Sequence, residues 1–314
     1  MRRKIVTPHV VDKTDLKYEI STKERFVASI SPGEDITVAC EIAYNGGLVT
    51  SLDAEIKPED FRYPFFNPLT GPIEIKGAKA GQTLCIHIKA IELEEFGLTG
   101  LAPHSGLFQE WIFERQKQFH HFKPVRVADG VIHWNETLKI PISPMIGVIG
   151  VAPSFGSILS LDNGEHGGNI DVQEMGPGST VYLPVNVDGA YLFLGDCHAR
   201  QGDGEVCGMG AIDIGARVTF SVDVIDRPDR MTWPRFETET HIGTVGLGRP
   251  LEDAMRVAYR EMIYWLADEH GFSEADAYML LSTVAEGRAT QIMNPKSTFI
   301  CKVEKSLLPR KGGD

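Results

Sequence analysis

The sequence predicts a mainly β protein: a sandwich- or barrel-like body, α+β overall, with a helical pair near the C-terminus. Two observations lead there. Through the first two thirds, glycine-led turns repeatedly feed stretches of strict apolar/polar alternation, and after about residue 249 the apolar spacing switches to that of helices.

The alternating stretches are "SPGEDITVAC", "AGQTLCIHIK", "GPGSTVYLPV" and "IGARVTFSVDV". In the second, Leu84, Ile86 and Ile88 share one face while Cys85, His87 and Lys89 share the other. Val218, Phe220 and Val222 oppose Thr219, Ser221 and Asp223 in the same way. "NVDGAYLFLGD" carries a hairpin signal at Asp188-Gly189, which predicts that a strand at about 181–187 lies antiparallel beside one at about 190–197. In "PLEDAMRVAYREMIYWLADEHGF", Leu251, Ala254, Met255, Ala258, Met262, Trp265 and Leu266 recur at helical spacing behind Pro250, with Gly271 placed to end the helix. Ser273 then reads as the N-cap of a second helix whose apolar face runs through Tyr278, Leu281, Ala285 and Ala289 before Pro295. A short strand around "STFICKVEK" follows.

The chain of 314 residues can bury a substantial core without staples. With no low-complexity linker, it reads as one unit over 1–314, divisible into β-rich subdomains at about 1–145 and 146–248 and a helical region at about 249–295. Against 31 basic residues stand 43 acidic ones, a formal net charge of -12, which argues against nucleic-acid or anionic-membrane partners and for a small molecule. Five widely spaced cysteines without a CxxC pair predict reduced thiols in a cytoplasmic protein. No signal peptide or membrane span is expected.

The chemistry concentrates in "GDCHARQGDGE", Gly195 to Glu205. In an extended chain Asp196 and His198 point to one face, roughly 7 Å apart, so both can converge on one ion. Carboxylate plus imidazole suits zinc or a related divalent ion, given a third protein ligand and an open position for water. Gly202 and Gly204 permit a sharp turn that returns Glu205 to the same spot as a general base. A polar, glycine-rich segment of this kind also serves simply as an Asx-type turn. The upstream cluster "DNGEHGGNID" weighs against that reading, because it repeats the mixture with His166, Asn169 and Asp171 around a glycine pair. Asp171 or His166 is the expected third ligand; Asn169 and the Gly202–Gly204 amides are candidates for holding an oxyanion, and Gln201 for orienting a substrate amide. A cysteine mechanism is the competing chemistry, with Cys197 or Cys207 attacking a carbonyl carbon. In a strand, however, Cys197 faces away from Asp196 and His198.

Read together, these segments resemble the acetamidase/formamidase family. The likeness is carried, in order, by "NPLTGPIEIKGAKAGQTL", "IGVIGVAPS", "HGGNID", "GDCHARQGDGEVCG" and "DAYMLLSTVAEGRATQIMNP". The resemblance implies a β-rich fold, hydrolysis of short linear amides to a carboxylate and ammonia, and homo-oligomers. It also implies an active site lined by the "HGGNID" and "GDCHARQGDGE" blocks, with a divalent metal such as zinc. Carried onto this chain, it points to Asp196, His198 and Glu205, with Asp171 and His166 nearby. The chain departs from the family pattern at Cys197, at Asp213, where a glutamate is usual, and at Glu41, where an Asp-Ala pair is usual. A protein that binds a small amide or carboxylate without turning it over is the alternative of a different class.

Overall fold

The computed structural model describes residues 9–44, 49–101, 106–115 and 121–309. The principal elements, in chain order, are β1 (Asp35–Cys40), β2 (Leu69–Ile75), β3 (Gln82–Leu101), α1 (Gln109–Glu114), β4 (Met145–Val151), β5 (Gly167–Asn169), β6 (Thr180–Pro184), β7 (Leu192–His198), β8 (Gly208–Asp226), β9 (His241–Gly248), α2 (Leu251–His270), α3 (Glu274–Val284), β10 (Glu286–Gln291) and β11 (Ser297–Glu304). Among the described residues the strands join into one curled, mostly antiparallel 18-stranded sheet and a separate pair.

Alternation decides which face of each strand is buried. Leu84, Ile86 and Ile88 of β3 and Val218, Phe220 and Val222 of β8 are all buried, as their pattern predicts, and join one large apolar core with Val38, Ile146, Leu183 and Leu194. The antiparallel ladder between β3 and β8 runs from Leu101–Gly208 to Gln82–Asp226. Its register shifts between Met209 and Asp213, where the ladder meets the polar end of β7.

The Asp188-Gly189 turn forms, but the predicted hairpin does not. β6 pairs with β3 and with the strand Arg235–Glu237, whereas β7 pairs with β2, β4 and β8. Positive φ at Gly189, Ala190 and Tyr191 turns the chain out of the plane a two-residue hairpin would keep. The two clusters therefore approach each other through β4, which pairs with both β5 and β7.

α2 begins after Pro250 and ends at Gly271, whose φ of 75° makes the left-handed cap. Ala254, Ala258, Met262, Trp265 and Leu266 pack against Ile242, Cys301 and Val303 of the sheet. A Cβ at Gly246 would collide with the Ala254 carbonyl, so glycine lets the helix backbone rest on β9. Met255, expected on the buried face, is instead 43% exposed. Ser273 caps α3 by accepting from the Asp276 N–H. That helix stops at Val284 and its predicted continuation is strand β10, which pairs with β11. There Gly287 lies against the Phe299 ring, where any side chain would clash. Tyr278 is consequently exposed rather than part of an apolar face. Among the described residues no helix is long and apolar enough to cross a membrane.

Candidate active site

Adjacent β4, β5 and β7 bring the two polar clusters together. Asp171 follows β5, and Asp196 and His198 end β7; ligand-capable atoms of all three lie within 4.8 Å of one another, and all three residues are buried. Gly147 of β4 makes room between the carboxylates. A Cβ there would sit 2.6 Å from Asp171 Oδ1 and 2.9 Å from Asp196 Oδ2. Its carbonyl also accepts the N–H groups of Ile170 and Asp171, fixing the chain where the aspartate leaves the strand.

Asp171, Asp196 and Glu205 are all held at positive φ, 48°, 53° and 46°. Such a conformation is costly for a residue with a Cβ and is tolerated where the surroundings over-determine it. Those surroundings include three asparagines. Asn67 Nδ2 donates to Asp196 Oδ2 at 2.9 Å, and Asn294 Nδ2 donates to Asp171 Oδ2 at 2.7 Å. Between them, the Asn169 amide nitrogen donates to Asp171 Oδ2 at 3.0 Å and to Asp196 Oδ2 at 3.3 Å, while its oxygen accepts from Asn67 and Asn294. Asn169, which lines the cavity, is thus tied to both carboxylates. Asp171 Oδ1 is buried without a hydrogen-bond partner, and Asp196 Oδ1 lies 3.5 Å from His198 Nε2.

Gln201 fixes the imidazole. Its amide nitrogen donates to the Thr290 carbonyl at 2.9 Å and the Asp171 carbonyl at 3.3 Å, so its oxygen must accept from His198 Nδ1 at 2.8 Å. Nδ1 therefore carries a proton, and Nε2 faces Asp213 at 3.0 Å as well as Asp196. With both ends engaged, Gln201 positions the histidine. The Gly204 N–H is likewise taken by the Ala289 and Thr290 carbonyls, and Gly202 is exposed outside the main cavity, where its carbonyl accepts from the Glu205 N–H. The turn's role is to aim Glu205.

The electrostatics follow from crowding four carboxyls around one imidazole. Burial, then the charge of Asp196, pushes Asp171 up to about 7, against the pull of His198 and Asn294. Burial, then Asp171, raises Glu205 well above the usual carboxylate range, with His198 opposing. For His198 burial works downward, but Asp196 and Asp213 overcome it and hold the ring protonated well above its ordinary value. A cation at the shared center relieves this repulsion, and the unpartnered Asp171 oxygen and His198 Nε2, once the cation displaces its proton, are suitable donors. Asp171, Asp196 and His198 therefore fit a divalent metal.

A cavity of about 1130 Å³ opens over the group, with Asp171, Asp196, Asp213, Glu205, Asn67 and Asn294 among its lining. His166 is not brought to it. Its ring is buried against Gly164 and Gly168, Nε2 has no hydrogen-bond partner, and burial, ahead of the opposing pull of Asp162, lowers it to about 4. The cysteine alternative also loses its geometry. Cys197 is buried in the core, and its thiol is raised well above its usual value first by Cys40 and then by burial. The Cys207 thiol donates to the Gly210 carbonyl and is raised by burial. Sequence reasoning missed Asn67 and Asn294 as site residues. Each stands directly before a proline in a block that carries the family resemblance, which is a usable signal.

The sequence profile of the acetamidase/formamidase family matches residues 22–160 and 159–303. The chain is 34% identical to an acetamidase of Yersinia enterocolitica whose crystal structure superposes with a TM-score of 0.89, covering 98% of this chain and 95% of that one. An acetamidase of Bacillus halodurans is 30% identical with a TM-score of 0.86, over 94% of this chain and 97% of that one. A formamidase of Methylophilus methylotrophus is 26% identical over 251 residues, which are 63% of this chain and 61% of that protein. The chain spans about three-fifths of the length of the curated relatives it matches. By profile, structure and site together, the chain belongs to the acetamidase/formamidase family.

Proposed function

We propose that this protein hydrolyses the carbon–nitrogen bond of linear carboxamides, giving a carboxylate and ammonia. The observation that carries the reading is the pairing of a donor set fit for a divalent ion with Glu205 on the wall of the same cavity. Relatives named as a formamidase and acetamidases point to the same bond.

An amide needs an activated water, a partner for the developing oxyanion and a proton for the leaving nitrogen. Asp171, Asp196 and His198 would hold the metal, zinc in our proposal. When bound, it supplies Lewis acidity that lowers the pKa of a water and polarises a carbonyl. Glu205 takes a proton from the attacking water as its oxygen bonds to the carbonyl carbon. It then delivers that proton to the nitrogen as the C–N bond breaks, so the carboxylate ends as it began. Asn67, Asn169 and Asn294 hold the two aspartates through their Oδ2 atoms, and Gln201 keeps the His198 Nδ1 proton in place. A binder without turnover has no need of a general base such as Glu205 held beside the donor set at positive φ.

The test is Glu205→Gln. Metal content and thermal unfolding should stay near the parent values while ammonia release falls by about two orders of magnitude or more, the scale of general-base loss. Full activity in that variant removes Glu205 from the role, and release that survives complete metal removal removes the metal.

A further inference from the structure

The cavity is far larger than a formamide or acetamide requires, and one wall is built from rings. At about 1130 Å³ it is slightly larger than the usual pocket for a drug-sized ligand, roughly 300–1,000 Å³. Tyr44, Phe61, Phe66 and Phe122 line it. Their centroids lie 4.8 Å apart for Phe61 and Phe122, 5.4 Å for Tyr44 and Phe61, and 5.6 Å for Tyr44 and Phe66. All four are half-buried, and none belongs to the apolar core clusters of the sheet. Rings gathered against one another outside the core and lining a cavity offer a contact surface for an apolar or aromatic ligand.

The wall is tied to the chemistry. Tyr44 is held at a φ of 62°, and its N–H donates to the Phe66 carbonyl at 2.5 Å. Tyr44 lines the same cavity as Asp196, Glu205 and Asp213, and its hydroxyl is raised well above its usual range by burial, then by the charges of Asp213, Glu205 and Asp196. Apolar Ile158, Leu161 and Met293 line the cavity as well. A small amide seated at Glu205 is too short to fill this space and would leave much of the apolar wall facing water.

We propose that the substrate is a carboxamide bearing an aromatic group, such as an arylacetamide, with the amide at Glu205 and the ring against Tyr44, Phe61, Phe66 and Phe122. This rests on the amide-hydrolase reading above. The reaction is unchanged: water adds to the carbonyl carbon, the C–N bond breaks, and the carboxylate (an arylacetate from an arylacetamide) and ammonia leave.

The test measures ammonia release by the metal-loaded protein from formamide, acetamide, propionamide, hexanamide, benzamide and phenylacetamide. We expect kcat/KM for phenylacetamide to exceed that for acetamide by about tenfold or more, and hexanamide to fall between them. In Phe61→Ala and Phe122→Ala the phenylacetamide-to-acetamide ratio should fall by about tenfold, chiefly through KM. Phe61→Leu, which keeps apolar bulk without the ring, should also lower that ratio and covers the case in which an alanine variant fails to fold. Preference for formamide or acetamide overturns the proposal while leaving the amide-hydrolase reading intact. Hexanamide equal to or better than phenylacetamide overturns the aromatic preference. Release from no amide overturns both readings together.

Discussion

Gln201 Oε1 lies 2.8 Å from His198 Nδ1, and the same amide donates to the carbonyls of Thr290 and Asp171. One side chain thereby joins β10, the turn after β5 and the imidazole at the end of β7, and it dictates which ring nitrogen is left for the site. Gln201→Leu removes the acceptor and frees the tautomer. Loss of such an outer partner costs roughly 10- to 100-fold in metal affinity or activity. Metal titration together with kcat will read it, and Gln201→Glu, which keeps an acceptor for Nδ1, should recover part of the loss.

Gly147 is the spacer between Asp171 and Asp196. A methyl group there would meet Asp171 Oδ1 at 2.6 Å and the Asp196 carbonyl oxygen at 2.7 Å, and the backbone oxygen cannot yield without moving β7. Gly147→Ala should unfold at lower temperature and bind less than one metal per chain under conditions that saturate the parent. Elemental analysis of purified variant and parent checks it.

His166 makes stability depend on pH. Its folded value of about 4 lies below its ordinary 6.5, so the neutral ring is the folded form. The contribution is complete above pH 6.5 and disappears as pH falls toward 4, at most about 3 kcal/mol in size. Urea midpoints at pH 7.5 and pH 5 should differ more in the parent than in His166→Gln; equal differences would remove His166 as the cause.

The thiols should prove dispensable to turnover. Cys207 already donates to the Gly210 carbonyl, a bond that a hydroxyl can also make. Cys207→Ser should keep kcat/KM within about twofold of the parent, because burial holds the thiol protonated and thus a poor nucleophile. A loss of several orders of magnitude in ammonia release would restore a cysteine mechanism.

Holding the asparagines to account gives a further measurement. Asn67→Ala leaves Asp196 Oδ2 with only the longer Asn169 contact, and Asn294→Ala strips the shorter of two donors from Asp171 Oδ2. Each should cost roughly 1–3 kcal/mol in the metal-free protein, the scale of an under-satisfied buried polar group. Both losses should shrink when a saturating divalent ion neutralises the carboxylates, and chemical denaturation with and without metal will compare them.

The sequence by itself determined the parts whose signal is local. Alternation assigned the buried faces of β3 and β8, Gly271 and Ser273 set the boundary between α2 and α3, and the spacing of Asp196 and His198 put both on one side of a strand end. Only the tertiary structure decided which strands became neighbours. Period-two alternation says which face is buried but not what lies alongside, so the Asp188-Gly189 turn could not reveal that β6 and β7 part company and that β4 joins the two clusters. The α3 apolar spacing likewise could not anticipate that pairing with β11 turns residues 286–291 into a strand. The same reason hid the clamps: Asn67 and Asp196 are 129 residues apart, Asn294 and Asp171 are 123, and no periodicity spans such distances. It also separates His166 from Asp171, close in sequence, since Asp171 lines the cavity whereas the His166 ring is buried against Gly164 and Gly168.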